Sequence, residues 1–153
     1  MDKNCFQNKV IIITGASSGI GLASARLFGS YGAKVVMAAR HLDKLEAEVP
    51  SVSPNPDNVL CVKTDVSKEE DCKALIEKTV EKFGRIDILV NNAGISMRAM
   101  FKDLDLSVIK SLMDVNFWGT VYCTKFALPY LLQSKGSVVG VISIAGYSAL
   151  PAR

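Results

Sequence analysis

Five short, nearly unbroken apolar runs, each followed by a longer stretch of helical period or by a glycine turn, constrain this chain more than any other feature. Val10–Thr14, Lys34–Ala38, Val59–Lys63, Ile86–Val90 and Val138–Ser143 read as strands. Strands with no polar alternation are apolar on both faces, so both faces must be covered. A parallel sheet with helices on each side is the architecture that does this. Between the strands, Gly19–Tyr31 reads as a helix with Ile20, Ala23, Leu27, Phe28 and Tyr31 on one face and Gly32 as its stop. His41–Val49 reads as a short charged helix, and Pro50, Pro54 and Pro56 break the chain into a loop after it. Ser67 and Glu70 have capping-box spacing ahead of a stripe of Cys72, Leu75, Ile76, Val80 and Phe83, which Gly84 ends. Residues 106–132 form one long helical region. With right-handed crossovers the expectation is a doubly wound α/β fold of Rossmann type, reaching its fifth strand.

Composition narrows the function classes. The 153 residues, 49% of them apolar, suffice for one compact domain over residues 1–153 and exclude a disordered chain. A net charge of +3 with scattered Lys and Arg makes no stripe for nucleic acid. The apolar stretch near the N-terminus is too short for a signal peptide, and no run reaches the length of a membrane span. A soluble cytoplasmic protein is expected. Cys5, Cys61, Cys72 and Cys123 form no CxxC pair and His41 stands alone as histidine, so no metal site is expected.

The first strand runs into Thr14-Gly15-Ala16-Ser17-Ser18-Gly19-Ile20-Gly21, which opens a helix. Glycines there let backbone N–H groups approach a pyrophosphate, and the helix N-terminus adds partial positive charge. The first two glycines stand further apart than in GxGxxG, and the absence of a following Lys-Ser or Lys-Thr excludes a P-loop. Strand two ends in Ala38-Ala39-Arg40, where an acidic residue would hold the ribose hydroxyls of NAD. Ala39 leaves room instead, and Arg40 offers a fork of donors to a 2′-phosphate. Arg40 also has the plainer reading of a solvated surface arginine; its place at the switch-point crevice favours NADP.

Thr14–Gly21, Asp65-Val66 after strand three, Asn91-Asn92-Ala93-Gly94 after strand four, Asn116 within Asp114-Val115-Asn116-Phe117, and Ser143-Ile144-Ala145-Gly146 after strand five together resemble the short-chain dehydrogenases/reductases. The resemblance spans essentially the whole chain. It implies that Thr14, Gly15, Ser17, Ser18, Gly19, Ile20 and Gly21 hold the dinucleotide. Asp65 would meet the adenine amino group, and Val66 would lie along the ring. Asn92, Ala93 and Gly94 would floor the cofactor site and brace the sheet. Asn116 would distort the long helix and hold a water in a proton relay, and Ser143 would hydrogen-bond the substrate oxygen. Each residue alone has a humbler role open to it, as turn former, helix-entry acid or strand terminator.

In the family a tyrosine follows the serine by thirteen residues, and a lysine follows that tyrosine by four. Counting on from Ser143 places the tyrosine three residues beyond Arg153, and none of Tyr31, Tyr122, Tyr130 and Tyr147 has a lysine four residues on. A serine hydroxyl cannot replace a phenol acidified by a neighbouring cation. The resemblance therefore implies an NADP(H)-dependent oxidoreductase interconverting an alcohol and a carbonyl, with residues 1–153 alone inactive and the sheet left with an apolar edge. A non-catalytic NADP-binding module is the alternative, and a methyl transferase ranks last because Arg40 stands where an acid is wanted. The wider run resembles the branch containing hydroxysteroid and lipid reductases. The long helix resembles one that pairs subunits, implying a homodimer or homotetramer for the complete protein.

Overall fold

A computed structural model describes residues 3–144 and 148. Its sheet has five parallel strands in the order β3-β2-β1-β4-β5. These are β1 (Val10–Thr14), β2 (Lys34–Ala39), β3 (Val59–Lys63), β4 (Ile88–Asn91) and β5 (Ser137–Gly140). The order reverses between β1 and β4, whose Ile11, Ile12 and Ile13 pair with Ile88, Leu89 and Val90. The expected doubly wound sheet is therefore present, with its topological switch point at the end of β1.

Alternation along β1 divides the core. Ile11 and Ile13 pack with Leu22, Ala25, Leu45 and Val52, which belong to α1 (Gly19–Ser30) and α2 (Leu42–Val52). Val10 and Ile12 pack on the other face with Cys72, Leu75 and Ile76 of α3 (Glu69–Phe83), and with Cys123, Ala127 and Leu131 of α5 (Gly119–Ser134). Every residue of β1 is buried, whereas β5 is an exposed edge strand. Cys72 and Cys123 are buried small side chains, Cys61 is half-buried and Cys5 exposed, all as free thiols. Among the described residues no helix is long and apolar enough to cross a membrane.

Four local expectations are corrected. The buried face of α1 is Gly21, Leu22, Ala25 and Gly29, while Ile20 and Leu27 are 64% and 52% exposed. Glycine carries no hydrophobic signal, yet here it lets the helix lie against its neighbours, and a methyl on Gly29 would overlap the Val52 carbonyl. The α2 helix continues through Pro50 to Val52, because burying Val52 (3% exposed) outweighs one lost backbone bond in the last turn. No capping box forms. Ser67 bonds Asp65 Oδ1 through both its amide (3.1 Å) and its hydroxyl (2.7 Å), making a turn ahead of α3 that withdraws the hydroxyl from the helix. Strands β4 and β5 also span Ile88–Asn91 and Ser137–Gly140 rather than the longer apolar runs.

The long helical region is interrupted. α4 (Leu106–Met113) passes into a π-helical turn, Asp114–Trp118, before α5 begins. The distortion implied by the resemblance is thus present at Asn116. The π turn is closed by the Gly119 amide donating to the Asp114 carbonyl.

Candidate functional site

The C-terminal ends of parallel strands leave backbone groups facing a common crevice, which is widest where neighbouring crossovers depart in opposite directions. Here that place holds a cavity of about 310 Å³. Gly15, Ser17 and Ser18 form one wall, Ala39, Arg40 and His41 a second, Thr64, Asp65 and Val66 a third. Asn92, Ala93, Gly94, Ile95 and Val115 form the floor.

The glycine loop is shaped by close approach. Gly15 has φ +68°, and a Cβ there would lie 2.9 Å from Ala93 Cα and 3.0 Å from Asn92 Nδ2. A methyl on Gly21 would collide with the Gly15 carbonyl oxygen and the Asn92 amide. Both glycines are therefore needed to bring the α1 N-terminus down onto the end of β1. Ser18 is the N-cap but makes no side-chain cap bond, so the first-turn amides of Gly19, Ile20 and Gly21 lack the usual side-chain acceptor. A loop with such amides, at the positive end of a 12-residue helix, fits the pyrophosphate of a dinucleotide.

Thr14 has a different place from the one expected of a ligand contact. It is 2% exposed and does not line the cavity. Its Oγ1 accepts from the amides of Asn92 and Ala93, both at 3.0 Å, and donates to the Val90 carbonyl at 3.4 Å. Asn92 answers through Nδ2, donating to the Thr14 carbonyl (2.9 Å) and the Gly15 carbonyl (3.3 Å). These bonds tie the loop after β4 to the glycine loop. Gly19, Ile20 and Gly21 likewise sit beside the cavity rather than in its lining.

On the β3 side, Asp65 keeps one oxygen in the turn to Ser67, while its amide donates to Asp71 Oδ2 at 2.8 Å. Val66 is 8% exposed and so close to α5 that a Cβ on Gly119 would come within 2.8 Å of its Cγ2. Arg40 and His41 are exposed at the rim, and no other side chain bonds to theirs among the described residues.

Asn116 does not line the cavity but controls its floor. Its Oδ1 accepts from the Ile95 amide at 2.9 Å and its Nδ2 donates to the Ile95 carbonyl at 2.8 Å. Gly94 lies under this clasp, where a Cβ would stand 3.3 Å from Asn116 Oδ1. The Asn116 carbonyl accepts from Thr120 Oγ1 at 3.2 Å. Ser143 is exposed, three residues past β5, at the same end of the sheet but outside the cavity lining. Ala145 and Gly146 of its motif lie outside the described residues.

Sequence reasoning missed His41, Thr64, Ile95 and Val115 as lining residues. Each directly adjoins a residue that it named: extending the motifs by one position at the strand ends would have found His41, Thr64 and Ile95, while Val115 already stood inside the Asn116 motif.

The family model described as short chain dehydrogenase matches residues 9–153. The chain is 44% identical over 146 residues to 11-beta-hydroxysteroid dehydrogenase 1A of Arabidopsis thaliana, covering 94% of this chain and 42% of that protein. Among solved structures, the alcohol dehydrogenase from the archaeon Thermococcus sibiricus complexed with 5-hydroxy-NADP superposes with a TM-score of 0.91 at 30% identity, covering 95% of this chain and 63% of that one. A short chain dehydrogenase from Bacillus anthracis gives 0.89 at 36% identity, covering 94% and 61%. The chain thus spans less than half the length of the Arabidopsis relative. With the glycine loop, the Asn92 brace and the Asn116 turn in place, it belongs to the short-chain dehydrogenase family.

Proposed function

We propose that the cavity takes NADP(H) and that the whole protein is an oxidoreductase interconverting an alcohol and a carbonyl. The observation that carries the cofactor reading is the wall at the end of β2. Ala39 and Arg40 stand there with His41, and no carboxylate stands where an NAD ribose would need one. An exposed guanidinium with no side-chain partner suits a 2′-phosphate, which it can meet with two parallel bonds. The archaeal neighbour complexed with 5-hydroxy-NADP is consistent with this choice.

When bound, the nicotinamide supplies or accepts the hydride. The residues of this chain bind and orient. The α1 N-terminus and the loop from Gly15 to Gly21 hold the pyrophosphate, Asp65 and Val66 flank the adenine, and Asn92, Ala93 and Gly94 floor the site. Asn116 fixes the loop at Ile95 through its carboxamide, leaving only its backbone for a water relay. Ser143 orients the substrate oxygen. A serine hydroxyl is too weak an acid to deliver the proton at neutral pH. On this reading residues 1–153 alone bind cofactor without turnover, and a tyrosine–lysine pair beyond them moves the proton. The exposed Phe117, Trp118 and Leu128 of the π turn and α5 are assigned to contact with a second copy, which light scattering of the complete protein checks.

Calorimetric titration tests the cofactor reading. Wild type should bind NADP⁺ at least about tenfold more tightly than NAD⁺, roughly 1.4 kcal/mol. Arg40→Ala should bring the two together by weakening NADP⁺ alone. Equal affinities in the wild type would overturn the assignment.

A further inference from the structure

The turn that carries Asp65 and Val66 is clamped from one place, the first turn of α3. Asp71 Oδ2 accepts from the Asp65 amide at 2.8 Å, and the next residue, Cys72, donates its thiol to the Val66 carbonyl at 3.4 Å. The turn also closes on itself. The Lys68 amide donates to the Asp65 carbonyl at 2.9 Å, and Ser67 occupies Asp65 Oδ1. Asp65 is thereby held by its amide, its carbonyl and one carboxylate oxygen, and it lines the cavity. Among the described residues only its Oδ2 is left without a hydrogen-bond partner. The plainer role for Asp71 is a helix-entry acid that favours the α3 N-terminus. Glu69 and Glu70 already stand in that turn, however, and the dipole asks only for charge nearby, not for a bond to one particular amide. The acid of a capping box bonds the amide of the N-cap itself. Asp71 instead reaches back past the N-cap, Lys68, to the residue where the chain leaves β3. The preceding residue, Thr64, is buried, with its amide on the Ala39 carbonyl at 2.9 Å. The sheet thus anchors one side of the Thr64–Asp65 peptide, and Asp71 anchors the other.

We propose that Asp71 is a positioning residue for the adenine end of the cofactor, holding the Asp65 amide so that the free carboxylate oxygen meets the adenine amino group. The inference rests on the NADP(H) reading and deepens it to selectivity for the base. An ionised carboxylate only accepts, so it suits the exocyclic amine of adenine and opposes a carbonyl in the same place. A purine with oxygen at that carbon sets two acceptors face to face and leaves both unpaired. Such discrimination needs the carboxylate to be held still. A side chain free to turn swings its oxygen to water and loses the contrast between the two bases. The bond from Asp71 fixes the backbone of Asp65, and Ser67 fixes the carboxylate on it.

Calorimetry on the complete protein compares NADP⁺ with its hypoxanthine analogue, in which a carbonyl oxygen replaces the adenine amino group. Wild type should prefer NADP⁺ about tenfold or more. Asp71→Ala should cut that preference to about threefold or less, chiefly by weakening NADP⁺. Alanine is the best helix former, and Glu69 and Glu70 remain in the first turn, so α3 still begins. Asp71→Asn keeps a carbonyl oxygen for the Asp65 amide without the charge, and should restore the preference to within about twofold of wild type. A merely structural role would weaken the two dinucleotides equally and would overturn the inference, as would an asparagine variant no better than alanine. Asp65→Ala separates this failure from that of the underlying reading. If Asp65→Ala abolishes the preference while Asp71→Ala keeps it, the inference falls and the NADP(H) reading stands. If wild type binds NADP⁺ but does not prefer it to the analogue, the adenine contact of Asp65 falls with the inference. If wild type does not bind NADP⁺, the NADP(H) reading falls too.

Discussion

The two ends of the sheet are each stitched by one buried polar side chain, but to opposite effect. At the C-terminal end, Thr14 is neutral and joins β1 to β4 and the loop after it through three hydrogen bonds. At the N-terminal end, Asp87 is charged and 3% exposed. It accepts from the Val10 amide (3.0 Å), from Lys9 Nζ (3.1 Å) and from Arg85 Nε and Nη2 (2.9 and 2.6 Å). Its carboxylate is consumed by its own neighbours, and the cleft beside it is only about 150 Å³. Thr14, by contrast, spends its hydroxyl on holding other residues still, and the glycine-loop amides beside it stay available. One end is tied up in its own ion pairs, and on the proposed function the other is preorganised for a ligand.

The largest expected effect belongs to Gly21→Ala. The added methyl must displace the Gly15 carbonyl or the Asn92 amide, so NADPH affinity should fall at least about 100-fold, roughly 2.7 kcal/mol, by calorimetry. A smaller loss would mean that the glycine loop tolerates rearrangement. Asp87→Ala should do the reverse, lowering stability in urea by about 2–3 kcal/mol while leaving NADPH affinity within twofold. The low end of the buried-pair range applies because Lys9 and Arg85 are half-exposed and can rehydrate. If Asp87→Ala also weakened binding strongly, the two ends would not be independent.

Thr14→Val keeps the shape but removes the acceptor of two amides. It should cost about 1–2 kcal/mol of stability and weaken NADPH about tenfold, with Thr14→Ser close to wild type. The smallest effect is in pH. Burial opposes the charge on Asp87, but the Val10 amide, Arg85 and Lys9 outweigh it and hold the carboxyl below the usual range. Its contribution is therefore complete above the unfolded value of about 3.9 and is lost as pH falls through the lower folded value. Acid titration of the urea midpoint should fall more steeply below about pH 4 in wild type than in Asp87→Asn. Parallel curves would remove Asp87 as the source.

Much of the cavity end was legible because the residues that shape it are local. Gly15, Gly19 and Gly21 lie within seven residues of one another, and Arg40 directly follows β2. The strands were legible because runs such as Ile11–Ile12–Ile13 are apolar without interruption. The stabilising end was not, since Lys9 and Asp87 meet across 78 positions of sequence. The same limit hid Thr14, whose partners Asn92 and Ala93 come equally late, so it read as a ligand contact rather than a brace. The buried face of α1 was misread because glycines at Gly21 and Gly29 contribute packing without apolar atoms. Asn116 was placed by resemblance, but only the fold shows that its carboxamide is spent on Ile95.

Hydrogen–deuterium exchange of the protein with and without NADPH tests the division of labour most directly. The account predicts new protection over residues 15–21 and 92–95, with no change around Asp87 and the 134–137 segment. Protection at the Asp87 cleft, or none at the glycine loop, would contradict it.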